Sequence, residues 1–528
     1  MTWNRLTWSA LLTCGLTLLG CTRPAGPTDS PDAATPDAGT GYEWDGGYVP
    51  LEEMGNTWPD TGAFAPCTVT AALGTDCIDF SLFDLSACDR ESLANAGTDG
   101  PYLLTTRTDD VPLFDATSLH LRGDGGTQYF GGRPITGQAS DGNARFYSST
   151  RTSSSGTRWT TMLATCEAPQ APGFTGCTAV CRNGKLAYTE TFKAQRMAWR
   201  AGETEASGLE LVSENPVDIG YPADVYVTRG HAYVVSIVEL GKPGGLTVFD
   251  VSNKAAPVKV KTIQLTGDAY WNGVWAQGDA LYVASSTKGV NVFDISNPAD
   301  PKLVRNLPGN INVHTVFVDG NRLYAASTSG VLIFDITNPL EPVELNRYTP
   351  YRGLPHDMFA TGDRLYVNYA GHGYVVADVS NPSDIRTLGV FKHPDHPYSH
   401  ANAVGTFGGR TIAFEGGEGP GAHLRVLDVT DPANIVKLGS FQLRREISIH
   451  NLVLVGKKLY VAWYQEGVRV LDVSNPTQPT QVAHYNTWRE RDEDPGLYFS
   501  GAFGIRVPGD GYLYVADSWR GLLILREP

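Results

Sequence analysis

The chain lacks the short sequence signatures that mark common catalytic sites. Its 528 residues contain no H-E-x-x-H, no G-x-S-x-G, no Walker sequence and no Asp-rich EF-hand loop. This absence lowers the expectation of an enzyme, although sites assembled from separated segments leave no such signature. Catalytic residues therefore stay unassigned at the level of the sequence.

Positive charge is also scarce. The chain has 41 Lys and Arg against 56 Asp and Glu, a net charge of −15, which argues against nucleic acid as a partner. Charged residues make up 18% and aromatic residues 10%, which is enough apolar surface for large cores and too little polarity for global disorder. The 58 glycines and 33 prolines are typical of a chain with many turns and exclude long helical architectures.

The N-terminus has the pattern of an export signal. Arg5 precedes an apolar run over residues 6–19, which is too short to span a bilayer but fits a signal peptide over residues 1–20. The sequence Leu18-Leu19-Gly20-Cys21 resembles the lipobox of bacterial lipoproteins, which implies cleavage before Cys21 and acylation of this residue. An ordinary signal peptide with a coincidental cysteine is the alternative. Because residue 22 is Thr, not the Asp that retains some lipoproteins at the inner membrane, the resemblance favours the outer membrane, on its periplasmic or surface-exposed side.

Residues 21–60 are predicted to form a disordered acidic tether that follows the lipidated cysteine. From residue 22 onward the segment is rich in Pro, Asp, Ala, Thr and Gly, with eight acidic residues and one basic residue. Such a composition extends by charge repulsion and cannot bury a core.

Six cysteines fall between residues 61 and 205, which we predict to be a small disulfide-stapled β-rich domain. An even number of cysteines in an exported chain favours three disulfides, with fifteen possible pairings that sequence does not decide. A zinc site is the alternative, but no C-x-x-C pair occurs. The six are Cys67, Cys77, Cys88, Cys166, Cys177 and Cys181.

The second half of the chain repeats itself. Each unit reads Gly, a short apolar strand, Asp, Val or Ile, Ser or Thr, and Asn or Asp, and a degenerate seventh unit ends with Arg526 at the Asp position. Successive units are 44, 41, 43, 50 and 44 residues apart, which is the spacing of four-stranded propeller blades. The anchor acids are Asp250, Asp294, Asp335, Asp378, Asp428 and Asp472.

These units predict an all-β, seven-bladed propeller over residues 206–528, opened by a strand near 209–212, although six or eight blades also fit. Each unit offers four strands A to D; in the third, A begins at 303–304, B is 314–318, C is 323–326 and D is 331–334. The anchor Asp is expected to accept backbone N–H groups in a turn, and a metal-ligand role is the alternative.

The runs Val292-Phe293-Asp294-Ile295-Ser296-Asn297-Pro298 and Val470-Leu471-Asp472-Val473-Ser474-Asn475-Pro476 resemble the LVIVD-repeat family of β-propellers on prokaryotic surface proteins. The resemblance covers residues 208–528 and implies the fold. It assigns no catalytic residue.

Histidines recur at one position of the repeat. Counting back nine residues from the strand C Leu gives Asn272, His314, His356 and His450, and in the fifth unit it falls near Asn402, two residues after His400. Such a ring could bind an anion, a sugar or a metal at the channel mouth, or could hydrogen-bond to the backbone of neighbouring blades. His393, His396 and His400 form a second, local candidate for a divalent metal, whereas the Gly-rich run 416–421 is interpreted as a flexible turn.

Strand alternation places the A–B and C–D connections on one face, where the long loops lie, and binding residues favour such loops. The candidate contacts there are aromatic, with blade packing as the alternative for each: Trp271, Tyr351, Tyr398, Trp463, Tyr464 and Trp519. The predicted function is a membrane-anchored, non-catalytic scaffold for a protein or glycan, without a cofactor. The alternatives are a metal-dependent hydrolase or lyase using the axial histidines, and a purely structural envelope protein.

Overall fold

A computed structural model describes residues 43–528 except 57, 78, 110–112, 154, 240, 395–397 and 491–498. Cys21 and His396 lie outside the described residues, so the lipidation prediction and one of the three candidate ligands of the local histidine cluster stay predictions. Among the described residues, no helix has the length and hydropathy needed to cross a membrane.

The described residues fall into two compact units: residues 58–200 with 489–490, and residues 43–56, 201–488 and 499–528. The first unit contains one nine-stranded antiparallel sheet, in the order β6-β5-β4-β3-β11-β10-β9-β8-β7, a separate β1-β2 pair and two 3-10 helices at Phe80–Leu82 and Ser92–Asn95. Its strands are β1 (Thr68–Val69), β2 (Phe83–Asp84), β3 (Gly100–Thr108), β4 (Phe114–Leu121), β5 (Tyr129–Phe130), β6 (Arg133–Pro134), β7 (Gly137–Asp141), β8 (Ala144–Thr152), β9 (Arg158–Glu167), β10 (Phe174–Arg182) and β11 (Lys185–Arg196).

The predicted disulfides are confirmed, and the structure decides their pairing. Cys67 pairs with Cys177, Cys77 with Cys181 and Cys88 with Cys166. Each bridge joins the segment that precedes the large sheet to strand β9 or β10 near the sheet centre. The three bridges therefore fasten a segment with almost no secondary structure of its own.

The second unit is a propeller of seven antiparallel sheets, which confirms the predicted fold. Two strands precede the first blade, and the first four blades follow in chain order. Their bounds are β12 (Ala206–Ser207) and β13 (Glu210–Asn215); blade 1, β14 (Tyr221–Thr228), β15 (His231–Ile237), β16 (Gly245–Asp250), β17 (Val258–Ile263); blade 2, β18 (Trp271–Gln277), β19 (Ala280–Ser285), β20 (Gly289–Asp294), β21 (Lys302–Pro308); blade 3, β22 (Val313–Asp319), β23 (Arg322–Ser327), β24 (Gly330–Asp335), β25 (Val343–Tyr348); blade 4, β26 (Asp357–Thr361), β27 (Arg364–Asn368), β28 (Tyr374–Asp378), β29 (Arg386–Phe391).

The remaining three blades complete the ring, with a 3-10 helix at Pro432–Asn434 in blade 5. Their strands are, for blade 5, β30 (Tyr398–Phe407), β31 (Arg410–Glu418), β32 (Leu424–Asp428), β33 (Val436–Phe441); for blade 6, β34 (Leu452–Val455), β35 (Lys458–Ala462), β36 (Val468–Asp472), β37 (Thr480–Tyr485); and for blade 7, β38 (Ala502–Arg506), β39 (Tyr512–Asp517), β40 (Gly521–Arg526).

The ring closes by sharing its last blade between the two ends of the repeat region. β13 pairs antiparallel with β40 and supplies the outer strand of blade 7, so the predicted opening strand near 209–212 is found here. Each inner strand contacts the inner strand of the next blade, and β38 contacts β14. The seven inner strands therefore surround one axis.

The predicted grouping of strands needs one correction. Strand A of each unit, such as 303–304 of the third, is the outer strand of the preceding sheet, because Lys302–Pro308 pairs with Gly289–Asp294. The Asp turn therefore joins the third and outer strands of one sheet and does not lead to the next blade. Blade 7 has no such turn because β13 provides its outer strand, which explains Arg526 at the Asp position.

Each part of the repeated motif has a structural role. All six anchor Asp side chains accept the backbone N–H two residues later, as Asp294 does from Ser296 at 2.7 Å. The Gly that opens the third strand has positive φ, and a Cβ on Gly330 would lie 2.3 Å from the Tyr348 carbonyl oxygen of the outer strand. Only glycine fits there without moving the sheet.

The prediction of a disordered tether is wrong for residues 43–56, because these residues pack on blade 5. Trp44 is buried, and the Tyr48 hydroxyl donates to Asp428 at 2.9 Å. The Leu51 N–H donates to the Lys437 carbonyl at 2.8 Å, which extends the sheet at β33. We call residues 43–56 the strap. Its two aromatic residues and Glu53 give it partners that its overall acidic composition does not reveal.

Candidate axial site

One residue of each blade lies where the inner strand begins, at the end of the axis that carries the A–B and C–D connections. In blades 1, 2, 3, 5 and 7 a β-bulge occurs at this point, where an extra residue leaves the regular ladder. In blades 4 and 6 the residue directly precedes the inner strand or lies two positions before it. The seven residues are Ala223, Asn272, His314, His356, His400, His450 and Phe503.

The four histidines form a continuous arc. Ring centroids are 4.4 Å apart for His314 and His356, 4.1 Å for His356 and His400, and 4.4 Å for His400 and His450. His314 Nε2 and His356 Nε2 are 3.1 Å apart, which is hydrogen-bond distance. All four rings are buried, and three of them are fully inaccessible. The repeat position thus brings together side chains that are more than forty residues apart in the sequence.

His400 lies in the arc, although counting back nine residues from strand C of this unit points to the neighbourhood of Asn402, two residues later. In blade 5 the pairing reaches Phe407 and Arg410, and Gly405 faces Ile412, so this hairpin is longer than that of blade 4, where Ala360 faces Leu365. The longer hairpin shifts the inner strand in the sequence but not in the sheet. The interval from Asp378 to Asp428, which contains this hairpin, is the 50-residue one, the longest of the five.

A buried carboxyl group, Glu418, completes the site. It ends strand β31, and its oxygens lie 3.6 Å from His400 Nε2 and 3.8 Å from His450 Nε2. The hydroxyl of Tyr464, which is also fully buried, donates to Glu418 Oε1. Tyr464 has φ of 36°, a conformation that non-glycine residues adopt rarely and that often marks functional positions.

Sequence reasoning missed Glu418 because it falls in the Gly-rich run interpreted as a flexible turn. That interpretation is wrong for residues 416–418, which belong to β31. A carboxylate in a stretch that otherwise contains only glycine and one proline, within the longest repeat unit, is the signal that could have indicated it.

Burial keeps the cluster uncharged. It lowers the pKa of His314 to about 3, with a smaller contribution from His450. Burial, followed by the neighbouring imidazoles, also lowers the pKa of His356 and His400 well below the usual value. Burial raises the pKa of Glu418 to about 8, against the hydrogen bond from Tyr464, which lowers it. At neutral pH these three rings are therefore neutral and Glu418 is mostly protonated.

Backbone hydrogen bonds orient the two ends of the arc. His450 Nδ1 lies 2.6 Å from the Phe503 carbonyl oxygen and donates to it, and the other ring nitrogen, Nε2, faces Glu418. Asn272 Nδ2 donates to the His314 carbonyl at 3.1 Å. The expected alternative, hydrogen bonding to the backbone of the neighbouring blade, thus describes Asn272 and one nitrogen of His450. It also extends to His356 and His400, which interact with the backbone of His400 and His450 respectively.

The local cluster of His393, His396 and His400 is not one ligand set among the described residues. His393 Nε2 lies 3.8 Å from Glu415, whereas His400 faces Glu418, a different carboxyl group. Among the described residues and apart from the disulfide cysteines, the side chains that the fold brings close enough to hold a metal are His356, His400 and Glu418, whose ligand atoms all lie within 4.8 Å of one another.

The six candidate aromatic contacts divide by burial. Trp271 and Trp463 are fully buried in the blades, so for these two the packing alternative is correct. Tyr464 is buried at Glu418. The other three are partly exposed: Tyr351 stacks on His372, Tyr398 meets the edge of His356, and Trp519 packs against Tyr221.

Aromatic rings pack against one another three residues further along the inner strands. Trp275 lies between Tyr226 and Phe317, with centroids 5.2 and 5.0 Å away, and the Arg506 guanidinium lies 4.0 Å from the centroids of both Tyr226 and Trp275. The arc of histidines is therefore followed along the inner strands by a layer of aromatic rings and one guanidinium.

The repeats match a known family. The family model described as LVIVD repeat matches residues 219–264, 267–307, 312–350, 353–391, 449–487 and 502–525. Six of the seven blades are LVIVD repeats. Each match coincides with one sheet, from inner strand toward outer strand, and no match falls in the segment that forms blade 5. The blade that supplies His400 and Glu418 is thus the one that departs most from the LVIVD pattern; His423 stands where the other blades have the opening glycine of the third strand.

Solved structures resemble the LVIVD propeller at the level of general shape. They include the WD40 β-propeller domain of Doa1 (12% identity, TM-score 0.47, 61% of this chain and 98% of that one). Others are the designed protein Ika8 (11%, 0.41, 75% and 96%) and the Cps50 (Swd1) propeller of Myceliophteria thermophila (13%, 0.43, 60% and 100%). No curated protein matches the chain. The fold assignment rests on the seven sheets themselves.

Proposed function

We propose that the chain is a membrane-anchored surface lipoprotein whose LVIVD propeller binds a protein or glycan without catalysis. The observation that carries this proposal is the burial of the axial polar cluster, next to packed aromatic rings. Because these polar groups are buried, the connecting loops, held by rigid sheets, are the surface on which a partner can bind.

The loop face at the histidine end offers suitable contacts. Tyr351, Tyr398 and Trp519 are partly exposed, and each is held by a second aromatic ring. Amphipathic aromatic side chains with fixed orientation supply contact area at little entropic cost, which is why they are frequent in binding sites.

Site-specific photo-crosslinking tests the proposed face. A photoreactive residue at position 351 or 519 should give a discrete adduct on intact cells, and a matched residue at position 321, an exposed turn position on the opposite face, should not. Screening the labelled protein on a glycan array, with Trp519→Ala and Asn321→Ala as a matched pair, covers a carbohydrate partner. Equal signals from the two faces in both experiments would contradict the proposal.

The anchoring part of the proposal is tested separately. The Cys21→Ser variant should lose metabolic labelling with a fatty-acid analogue and appear in the soluble fraction, whereas wild type stays with the membrane fraction. Unchanged labelling and fractionation of the variant would show that the lipobox resemblance is coincidental.

A metal-dependent hydrolase or lyase is the second candidate, favoured by the carboxyl group among the imidazoles. Such an enzyme needs a coordination position open to substrate. His356, His400 and His450 are fully buried, which makes this candidate the weaker one.

A further inference from the structure

The cluster around Glu418 combines residues from three consecutive blades. His356 belongs to blade 4, His400 and Glu418 to blade 5, and His450 to blade 6. If these residues only had to pack, apolar side chains would suffice, as they do at most positions of the inner strands. Here His356, His400 and Glu418 have ligand atoms within 4.8 Å of one another, and His450 Nε2 lies 3.8 Å from Glu418. Two of these four residues belong to blade 5, which departs from the repeat pattern.

The donor set selects a class of ligand. Imidazole nitrogens with one carboxylate suit Zn²⁺ and neighbouring first-row transition metals, whereas Ca²⁺ and Mg²⁺ take oxygen ligands almost exclusively. The pairing of two or three histidines with one glutamate is a known zinc ligand combination. An anion is disfavoured because the imidazoles and the carboxyl group that converge here offer it no positive charge.

The distances fit such a cation. Tetrahedral coordination with metal–ligand distances of about 2.0–2.2 Å places ligand atoms about 3.4 Å apart. His400 Nε2 and Glu418 are already 3.6 Å apart, and Glu418 and His450 Nε2 are 3.8 Å apart. The remaining pairs within the His356, His400 and Glu418 group are at most 4.8 Å apart, which side-chain rotation can close.

The hydrogen bonds around the cluster resemble those that orient the ligands of a metal site. A metal-bound histidine usually donates its other ring N–H to a carbonyl or carboxylate, which fixes the ring and its tautomer. The His450 Nδ1 bond to the Phe503 carbonyl, at 2.6 Å, has this arrangement, and Tyr464 holds the Glu418 carboxyl from the other side.

We propose that His356, His400, His450 and Glu418 bind one divalent transition-metal cation, with Zn²⁺ the best match, and that this cation links blades 4, 5 and 6. The site is closed by four protein ligands and is buried, so its role is structural. It fastens the inner strands of the one blade whose repeat pattern is altered. The proposal is independent of any partner bound on the loop face.

Metal analysis of the full-length protein, purified without an affinity tag, tests the proposal. We expect one zinc per chain after dialysis against excess Zn²⁺ and removal of the free ion, and a tetrahedral visible spectrum with Co²⁺. Addition of Ca²⁺ should displace neither the bound Zn²⁺ nor the bound Co²⁺. The Glu418→Gln and His400→Asn variants should lose at least about 100-fold in affinity for Zn²⁺, because replacing even a residue that only hydrogen-bonds to a ligand typically costs 10–100-fold.

His372→Asn is the matched control because His372 is exposed and stacks on Tyr351 away from the cluster. Circular dichroism of each variant identifies any that does not fold, and Glu418→Gln preserves the shape and the hydrogen bond from Tyr464. The proposal is overturned if the wild-type protein binds no stoichiometric Zn²⁺ or Co²⁺. It is equally overturned if folded Glu418→Gln and His400→Asn bind as tightly as His372→Asn.

Discussion

Replacing Glu53 with Gln should release the strap from blade 5. The Glu53 side chain is 5% exposed, accepts a hydrogen bond from Lys437 Nζ at 2.7 Å and pairs with Arg425 Nε at 3.1 Å, with His423 Nε2 at 3.4 Å. Glutamine keeps the shape but removes the charge that balances these cations. The neighbouring Glu52 is exposed, so Glu52→Gln is a matched control with the same change in net charge.

The free-energy cost of Glu53→Gln depends on which cation loses its carboxylate partner. Arg425 keeps a second partner, because its Nη1 lies 3.1 Å from Glu415 Oε2, whereas the buried ammonium of Lys437 loses its carboxylate. Removing one partner of a buried ion pair typically costs about 3–5 kcal/mol. Since only one of the two cations is stranded, we expect about 3 kcal/mol for the local opening of the strap.

Hydrogen exchange measures this opening directly. The Leu51 amide donates to the Lys437 carbonyl and should exchange about 100-fold faster in Glu53→Gln, because 1.4 kcal/mol corresponds to a factor of ten. Glu52→Gln should exchange at the wild-type rate. Equal exchange in both variants would refute the reasoning.

Acid should have the same effect as the substitution. Although burial alone would raise it, the pKa of Glu53 is held well below its usual value by His423, Arg425 and Lys437. A carboxylate with a depressed pKa stabilises the folded state above its unfolded pKa of about 4.3, and this stabilisation is lost as the pH falls toward the folded value. Strap protection should therefore decline below about pH 4 in wild type and not, or much less, in Glu53→Gln.

Three further predictions concern the two units. Gly521→Ala should lower the free energy of unfolding by at least about 2 kcal/mol in urea unfolding, because φ is 91° and a Cβ would lie 2.3 Å from the Asn215 carbonyl oxygen at the ring closure. Gly509→Ala is the control: φ is 89° and the space around a Cβ is open, so this variant measures the cost of the backbone conformation alone. Arg506→Leu should lower the free energy of unfolding by about 2 kcal/mol through loss of two cation–π contacts, against at most about 1 kcal/mol for the exposed Arg526→Leu. Reductant should lower the calorimetric transition of the first unit, whose disulfides close long loops worth about 4 kcal/mol each, and leave the propeller transition unmoved.

The features that the sequence predicts are those that repeat. The anchor Asp and the opening glycine recur because each satisfies a fixed backbone geometry, and this periodicity yields the blade number and the histidine position. Features that occur once are missed: Glu418 depends on the longer hairpin of blade 5, and Glu53 depends on a partner almost four hundred residues away. Neither leaves a local pattern, because each arises from tertiary pairing.

Anomalous diffraction at the zinc edge, from crystals of the zinc-loaded full-length protein, tests the central claim most directly. The account predicts a single strong peak bounded by His356, His400, His450 and Glu418, on the axis of the seven blades. Zinc bound elsewhere with no density among these four side chains, or imidazoles that do not converge on one point, would contradict it.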